Sequence, residues 1–431
     1  MLSDLSLFFL PHGLLVFLSL FTVVIWGVIP YLLYPGFVRL FHHFLRIQRT
    51  PIASDVLDAS QWPSVTIVFA AYNEEVVLEE KLASLQALDY PHEKMNIRVG
   101  SDCSTDDTEK ILSRWAKEMP NLHWERMPER SGKSKIINYL VSKSNAEVVV
   151  GTDANIFFDP MALKHLVAPL ILNRDVALVG GELAYRGLAQ EETYRSIAQQ
   201  EKSYIGWENH TKVCEGELWG MTMGVEGGCY AIRRAYFTPI PPGTFMEDFF
   251  LTIQVLSAGK KVVHASNATC SEDVSNDAQM EFKRKVRISH GNWQNSQRIF
   301  FQLIQSLFSK NHEGDSISPK RKSLMGFVFV GHKFLRWIFP LAVLCSVIIM
   351  FFTEIALCGF YLAGINLLVL MLGILFLLYP GWILPRNIAK RVKPLSYFAW
   401  MNIALILGLW QFLRTPAGSS GVWQPTKRNN Q

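Results

Sequence analysis

The chain has 431 residues, 49% of them apolar, and a formal net charge of +5. That length leaves room for two or three domains, and that apolar content excludes a disordered chain. The excess positive charge sits beside apolar stretches, so it is explained by membrane-flanking loops and no nucleic-acid partner is invoked.

Residues 14–34, "LLVFLSLFTVVIWGVIPYLLY", carry no charge and are long enough to cross a bilayer as a helix. The leading "MLSDLS" has no Lys or Arg and no small-residue cleavage site follows, so the segment reads as a retained anchor rather than a signal peptide. From about 335 to 413 the chain is apolar again and reads as two or three further spans. Arg39, Arg46 and Arg49 follow the first span, "PKRK" (319–322) precedes the later ones, and "RNIAKRVK" (386–393) lies between two of them. Positive loops stay on the cytoplasmic side, which places the globular middle in the cytosol beneath a multi-pass cytoplasmic (inner) membrane anchor. The six cysteines show no C-x-x-C spacing and read as reduced thiols. The expected division is 1–50 anchor and basic juxtamembrane segment, 51–292 globular domain, 293–323 interfacial helix and basic loop, and 324–431 membrane region and basic tail. Trp293, Phe300, Leu303, Ile304, Leu307 and Phe308 recur at helical spacing, which suits an interfacial helix and equally an amphipathic core helix.

In the middle, "SVTIVFAA" (64–71), "NIRVGSD" (96–102) and "EVVVGTD" (147–153) read as fully buried strands, with "LHWERM" (122–127) a weaker fourth. Helical stretches over roughly 75–88, 106–118 and 133–144 alternate with them, so the fold class is α/β with a mostly parallel sheet. Ligands bind such sheets beyond the carboxyl ends of the strands. Three polar clusters fall there: "YNEE" (72–75), "SDCSTDD" (101–107) and "TDAN" (152–155). The pair Asp153 and Asn155 offers two oxygen ligands flanking a small residue, suited to a hard cation or to a plain turn. "SGKS" (131–134) resembles the tail of a phosphate-binding loop, but position 127 is Met where that motif needs Gly. Lys133 is left as a phosphate partner by another geometry.

Further on, the Gly-rich "GVEGGCYAIRR" (224–234) permits close approach of a ligand to backbone. Glu247 and Asp248 open an amphipathic helix, a placement that helix electrostatics alone would favour. Lys283, Arg284, Lys285 and Arg287 form a basic run suited to a diphosphate.

Taken in order, "AAYNEE", "SDCSTDDT", "TDAN", "GVEGGCYAIRR", "MEDFFLTIQVLSAGKKV" and "RKVRISHG" resemble the inverting family 2 glycosyltransferases with a GT-A fold, in their membrane-bound polysaccharide-synthase branch. "HKFLRWIFP", "MNIALILGLWQFL" and "VWQPTKR" resemble that branch's membrane segments. The resemblance implies a Rossmann-like GT-A domain in the cytosol with one N-terminal and two to three C-terminal spans. It implies that Asn73, Glu74 and Asp102 contact the nucleotide portion of a UDP-sugar, with Lys133, Asp153, Arg284 and Arg287 around its diphosphate. Asp153, with Asn155, would ligate Mg²⁺ or Mn²⁺. Asp248, beside Glu247, would be the catalytic base for a glycan or lipid-linked acceptor in surface-glycan biosynthesis, with a partner subunit for export.

Two positions depart from the pattern. Asn155 stands where a carboxylate is usual, and the Gln-x-x-Arg-Trp of processive members reads Lys283, Arg284, Arg287, Ile288 here. Alternatives of other kinds are a processive synthase, a polyprenyl-phosphate or ceramide glycosyltransferase, and a non-enzymatic nucleotide-sugar-binding scaffold. A scaffold leaves Glu247-Asp248 unexplained. A transporter fits less, since the spans carry no intramembrane acids.

Overall fold

The computed structural model describes residues 21, 25–45, 58–186, 192–273, 278–308, 318–382 and 384–415. Residues 14–20 and 22–24 of the expected N-terminal span and the tail beyond residue 415 lie outside these residues.

The first half of the sheet follows the sequence pattern. Strands β1 (Val65–Ala71), β2 (Met95–Ser101), β3 (Leu122–Arg126) and β4 (Val148–Thr152) alternate with helices α2 (Glu75–Gln86), α3 (Thr108–Glu118) and α4 (Lys133–Ser142). Helix α1 (Tyr34–Phe44) precedes them and follows a π-helical turn, Ile29–Leu33. β1 pairs in parallel with both β2 and β4, and β2 with β3. Alternate residues of one strand feed two cores: Ile67 and Phe69 pack with Leu78 and Leu82 on one face, Val68 with Ile136 and Leu140 on the other. Burial on both faces is why these strands read as continuous apolar runs.

The sheet then changes character. Short β5 (Ile156–Phe158) and helix α5 (Ala162–Leu172) lead to β6 (Val176–Arg186), the 28-residue helix α6 (Glu192–Trp219), β7 (Cys229–Arg233), α7 (Glu247–Ser257) and β8 (Lys261–Asp273). The strand order is β3-β2-β1-β4-β7-β6-β8-β5. β7 runs antiparallel to both β4 and β6, while β6 and β8 are parallel and β5 closes antiparallel on β8. The sheet is therefore mixed rather than parallel throughout.

Helix α8 (Ala278–Phe308) runs unbroken through the expected domain boundary at 292/293. Its described apolar residues turn into the protein: Ile299 is buried, and Phe300 meets Phe329 and Phe334 edge-on. Helix α9 (Pro319–Phe329), a π-helical turn (Val330–Phe334) and α10 (Leu335–Cys358) follow, then α11 (Phe360–Leu378) and α12 (Arg386–Arg414). The basic "RNIAKRVK" run forms the first turns of α12 instead of a loop. Among the described residues, Pro319–Ala356 and Val392–Arg414 are long and apolar enough to cross a membrane.

The apolar helices are not a detached appendage. Met325, Val328, Phe329 and Trp337 belong to the same buried core as Val149, Ile232 and Phe249 of the sheet domain. Gly408 of α12 lies so close to α8 that a Cβ there would stand 2.7 Å from the Val286 carbonyl and strike Ser289. Ser289 Oγ also donates to the Leu405 carbonyl at 2.9 Å.

Candidate active site

At the carboxyl ends of β1 and β2 the two polar turns are laced together. Asn73 takes a positive φ of 53°, which an Asn tolerates, and its Oδ1 accepts from the Thr105 amide at 2.8 Å. The Glu75 amide donates to Asp106 at 3.1 Å and the Asp107 amide to Glu75 at 2.9 Å. The Glu74 amide donates to Thr108 Oγ1 at 2.8 Å, and the Glu74 residue is itself buried. Ser104, Thr105 and Asp106, part of the polar cluster that the sequence marks at 101–107, help to build this corner.

Asp102 is 2% exposed and uses both oxygens on the loop before α4. The Ser131 amide donates to Oδ1 at 2.6 Å and the Gly132 amide to Oδ2 at 3.1 Å, with Arg130 Nε 3.3 Å away. Gly132 has φ +78°, a conformation that side chains rarely adopt, so the turn requires glycine. Arg130 lies flat over the Tyr72 ring, 3.2 Å from its centroid. The loop delivers Lys133 to the start of α4.

Lys133 joins two of the expected site residues. Its ammonium is 2.5 Å from Asp153 Oδ1 and also pairs with Glu247. Burial works against its charge, but Asp153 and Glu247 outweigh that and hold the ammonium well above its usual range. Glu247 and Asp248 open α7, both nearly buried. Burial raises the Asp248 carboxyl to about 7, aided by the neighbouring Glu247 charge; the Phe249 amide and Lys133 pull the other way. Glu226, which precedes the Gly-rich turn into β7, adds to the upward push and is itself paired with Lys212 of α6. Neither Glu226 nor Lys212 stood out in the sequence, since a single acid among glycines carries no spacing signal.

The basic run lies on α8. Arg284 and Lys285 both approach Glu281, at 3.3 Å each. Burial and the nearby Arg284 charge lower the Arg287 guanidinium's proton affinity, while Glu247 and Asp153 raise it. Arg287 is thus near enough to the acids that hold Lys133 to feel their charge, and Lys283 is exposed.

The side chain of Asp153 is 39% exposed. The Asn155 amide nitrogen donates to Glu272 at 2.6 Å, leaving its oxygen as the ligand atom. No group of three or more His, Cys, Asp or Glu side chains that could hold a metal occurs among the described residues. These residues fit a divalent ion only in an open site whose remaining ligands come from a bound diphosphate.

A second charged cluster joins the domain to the apolar helices. Glu208 of α6 binds Arg336 at 2.5 Å, His332 at 2.8 Å and Lys333. His332 Nδ1 meets Glu215 at 2.7 Å, and the Tyr34 hydroxyl donates to that same carboxylate at 2.7 Å. Burial opposes the Glu208 charge; His332, Lys333 and Arg336 outweigh it and hold the carboxylate well below its usual range.

The glycosyl transferase family 2 model matches residues 66–238. A probable glycosyltransferase of Bacillus subtilis is 25% identical over 260 residues, 58% of this chain and 60% of that protein. An N-acetylglucosaminyltransferase of Mesorhizobium japonicum is 23% identical over 291 residues, 64% of this chain and 67% of its own length. The chain thus spans about three fifths to two thirds of these curated relatives. A mannosyltransferase from Pyrobaculum calidifontis, solved with GDP-Man and Mn²⁺, superposes with a TM-score of 0.60 at 20% identity, over 91% of this chain and 98% of that one. That likeness shows a shared GT-A fold. The family-matched region holds β2 to β7 and the polar turns after β1, β2 and β4, and it supports a family 2 glycosyltransferase; Glu247, Asp248 and the α8 arginines lie beyond it.

Proposed function

We propose that the protein is an inverting glycosyltransferase that moves a sugar from a UDP-linked donor to a glycan or lipid-linked acceptor at the cytosolic membrane face. The observation that carries the reading is Asp248, a buried carboxyl raised to about 7 at the head of α7. An acceptor hydroxyl is a poor nucleophile, and a base of this proton affinity suits it. Asp248 takes the hydroxyl proton as that oxygen bonds to the anomeric carbon. The bond to the diphosphate breaks on the opposite face, so the configuration inverts in one displacement. Lys133, Arg284 and Arg287 pair with the departing diphosphate. Asn73, Glu74 and Asp102 line the nucleotide end. Asp153, with the Asn155 oxygen, would hold Mg²⁺ or Mn²⁺, which when bound supplies further charge neutralisation for the leaving group.

The two long apolar helices and the basic run opening α12 support a membrane anchor with the domain in the cytosol. The product reading is one or a few sugars added in an exopolysaccharide or related surface-glycan pathway. Processive transfer needs an aromatic platform for the chain end. Ile288 stands where that Trp is expected, and Trp293 is turned edge-on to Phe334, 6.4 Å between centroids.

The test uses full-length protein in membranes with a panel of labelled UDP-sugars. Asp248→Asn should lower transfer by about 10²–10⁴-fold while UDP-sugar binding persists; wild-type turnover would sink the assignment of the base. Chelator should abolish wild-type activity and Mn²⁺ or Mg²⁺ restore it. A long polymer on gel filtration would reject the short-product reading.

A further inference from the structure

Lys81 is the one lysine of the described residues with 0% exposure. It lies on α2 among Val77, Leu78, Leu82 and Leu85, at a position where the helix period calls for an apolar side chain. Burying an ammonium is costly without a charged partner, yet its hydrogen bonds reach neutral acceptors. The Nζ donates to Thr152 Oγ1 at 2.9 Å and to the Ile156 carbonyl at 2.5 Å. The Phe158 ring lies 4.7 Å away and the Phe69 ring 5.5 Å away. A leucine or methionine would fill this space without desolvating a charge.

The two acceptors explain what an amine adds. Thr152 is the residue before the Asp153-Ala154-Asn155 triplet and Ile156 the residue after it. One side chain therefore grips both ends of the loop from inside the core. The Ile156 amide donates to the Asp153 carbonyl at 3.2 Å, Ala154 is 2% exposed, and Asn155 is tied to Glu272. The backbone of the triplet is thereby fixed, and the Asp153 side chain reaches from it to Lys133. Burial pulls the proton affinity of Lys81 down to about 7, with Cys270, Asp153 and Cys229 pulling the other way. Charged or neutral, the amine keeps the N–H groups that both acceptors need.

We propose that Lys81 is a positioning residue that holds the 153–155 loop at both ends, fixing where the Asp153 carboxylate stands at the sheet edge. The inference rests on the reading of Asp153 as a cation ligand. It predicts that the cation affinity of the site depends on a side chain that never touches the cation.

The experiment titrates Mn²⁺ into detergent-purified full-length protein with UDP present, following loss of the free-ion EPR signal, with thermal midpoints measured in parallel. Lys81→Met should weaken Mn²⁺ binding by about tenfold with the midpoint unchanged or higher, because a buried amine gives way to an apolar chain of similar length. Thr152→Val keeps the shape, removes one acceptor, and should weaken binding severalfold; it also stands in if Lys81→Met does not fold. Unchanged Mn²⁺ affinity in either folded variant overturns the proposal, as does a loss in Lys81→Met that only follows a fallen midpoint and is absent in Thr152→Val. Asp153→Ala separates the two levels. If it abolishes Mn²⁺ binding while Lys81→Met leaves the affinity unchanged, the cation reading stands and the clamp fails; if it leaves binding intact, both fall.

Discussion

The two halves of the sheet hold their polar residues in different ways. Around β1 and β2 the clusters are fixed mainly by backbone amides: Asp102 by the Ser131 and Gly132 amides with Arg130 beside it, Asn73 by the Thr105 amide. Around β7 and α6 they are fixed by buried ion pairs: Glu226 with Lys212, and Glu208 with His332, Lys333 and Arg336. Hydrogen bonds to backbone set a shape while leaving side-chain charge to be satisfied by a ligand. Buried ion pairs cancel charge locally and resist separation, because each partner left alone is a desolvated ion. That difference suits the first half to the donor-binding role proposed above and the second to staying closed on its own partners.

The sharpest way to break this contrast is Glu208→Ala, which strands His332, Lys333 and Arg336. It should cost about 3–5 kcal/mol, seen as a large fall in thermal midpoint in detergent, with the Val330–Phe334 turn and α10 losing their common partner. A loss under about 1 kcal/mol would put the cluster with ordinary surface pairs. Next in size is Asp102→Ala, which releases two amides and Arg130. Hydrogen bonds to a charged group are worth about 1.5–3 kcal/mol, so UDP affinity by calorimetry should fall about tenfold or more, and Asp102→Asn should recover part of it. Unchanged affinity would remove the 130–132 loop from the donor site.

The smallest effect sharpens the boundary between the halves, where Glu247 and Asp248 sit. Asp248 must be ionised to accept a proton, so transfer should rise as pH climbs through about 7. Burial is the main cause, and the Glu247 charge adds to it. Glu247→Gln removes a negative neighbour, favours the ionised form, and should move the acid limb of the pH–rate profile down by about one pH unit. An unmoved limb, or one moved upward, would show that another group sets it.

Much of the first half was legible because local pattern and tertiary role coincide there. Apolar runs such as Val148–Val150 are buried on both faces, and the polar residues that end them stand at the ligand edge. Lys133, Asp153, Glu247 and Asp248 come together as one cluster although 115 positions separate Lys133 from Asp248. The second half was less legible. The reversal of β7 depends on which strands pair, not on any single strand's composition. Lys81 reads as an ordinary helix-surface lysine until the face that it occupies is known. The basic run at 386–393 read as a loop because positive charge marks membrane boundaries in helices and loops alike. Glu208 and Glu215 are seven residues apart and therefore on one face of α6, but their partners lie more than a hundred residues away.

The tight contact at Gly408 bears on how much play the active site has. Arg287 lies between Val286 and Ser289, the two α8 residues against which Gly408 is pressed, and Arg284 begins only two residues earlier, about 3 Å along the axis. A rigid helix turn is all that separates the arginines from the apolar helix. A spacer of several residues would absorb a displacement of α12 before it reached them; this joint passes it on almost undiminished. Under the membrane anchoring proposed above, the arginines' height over the bilayer is set by how deeply α12 is seated, and a change in membrane thickness would be felt at the arginines as a change in position.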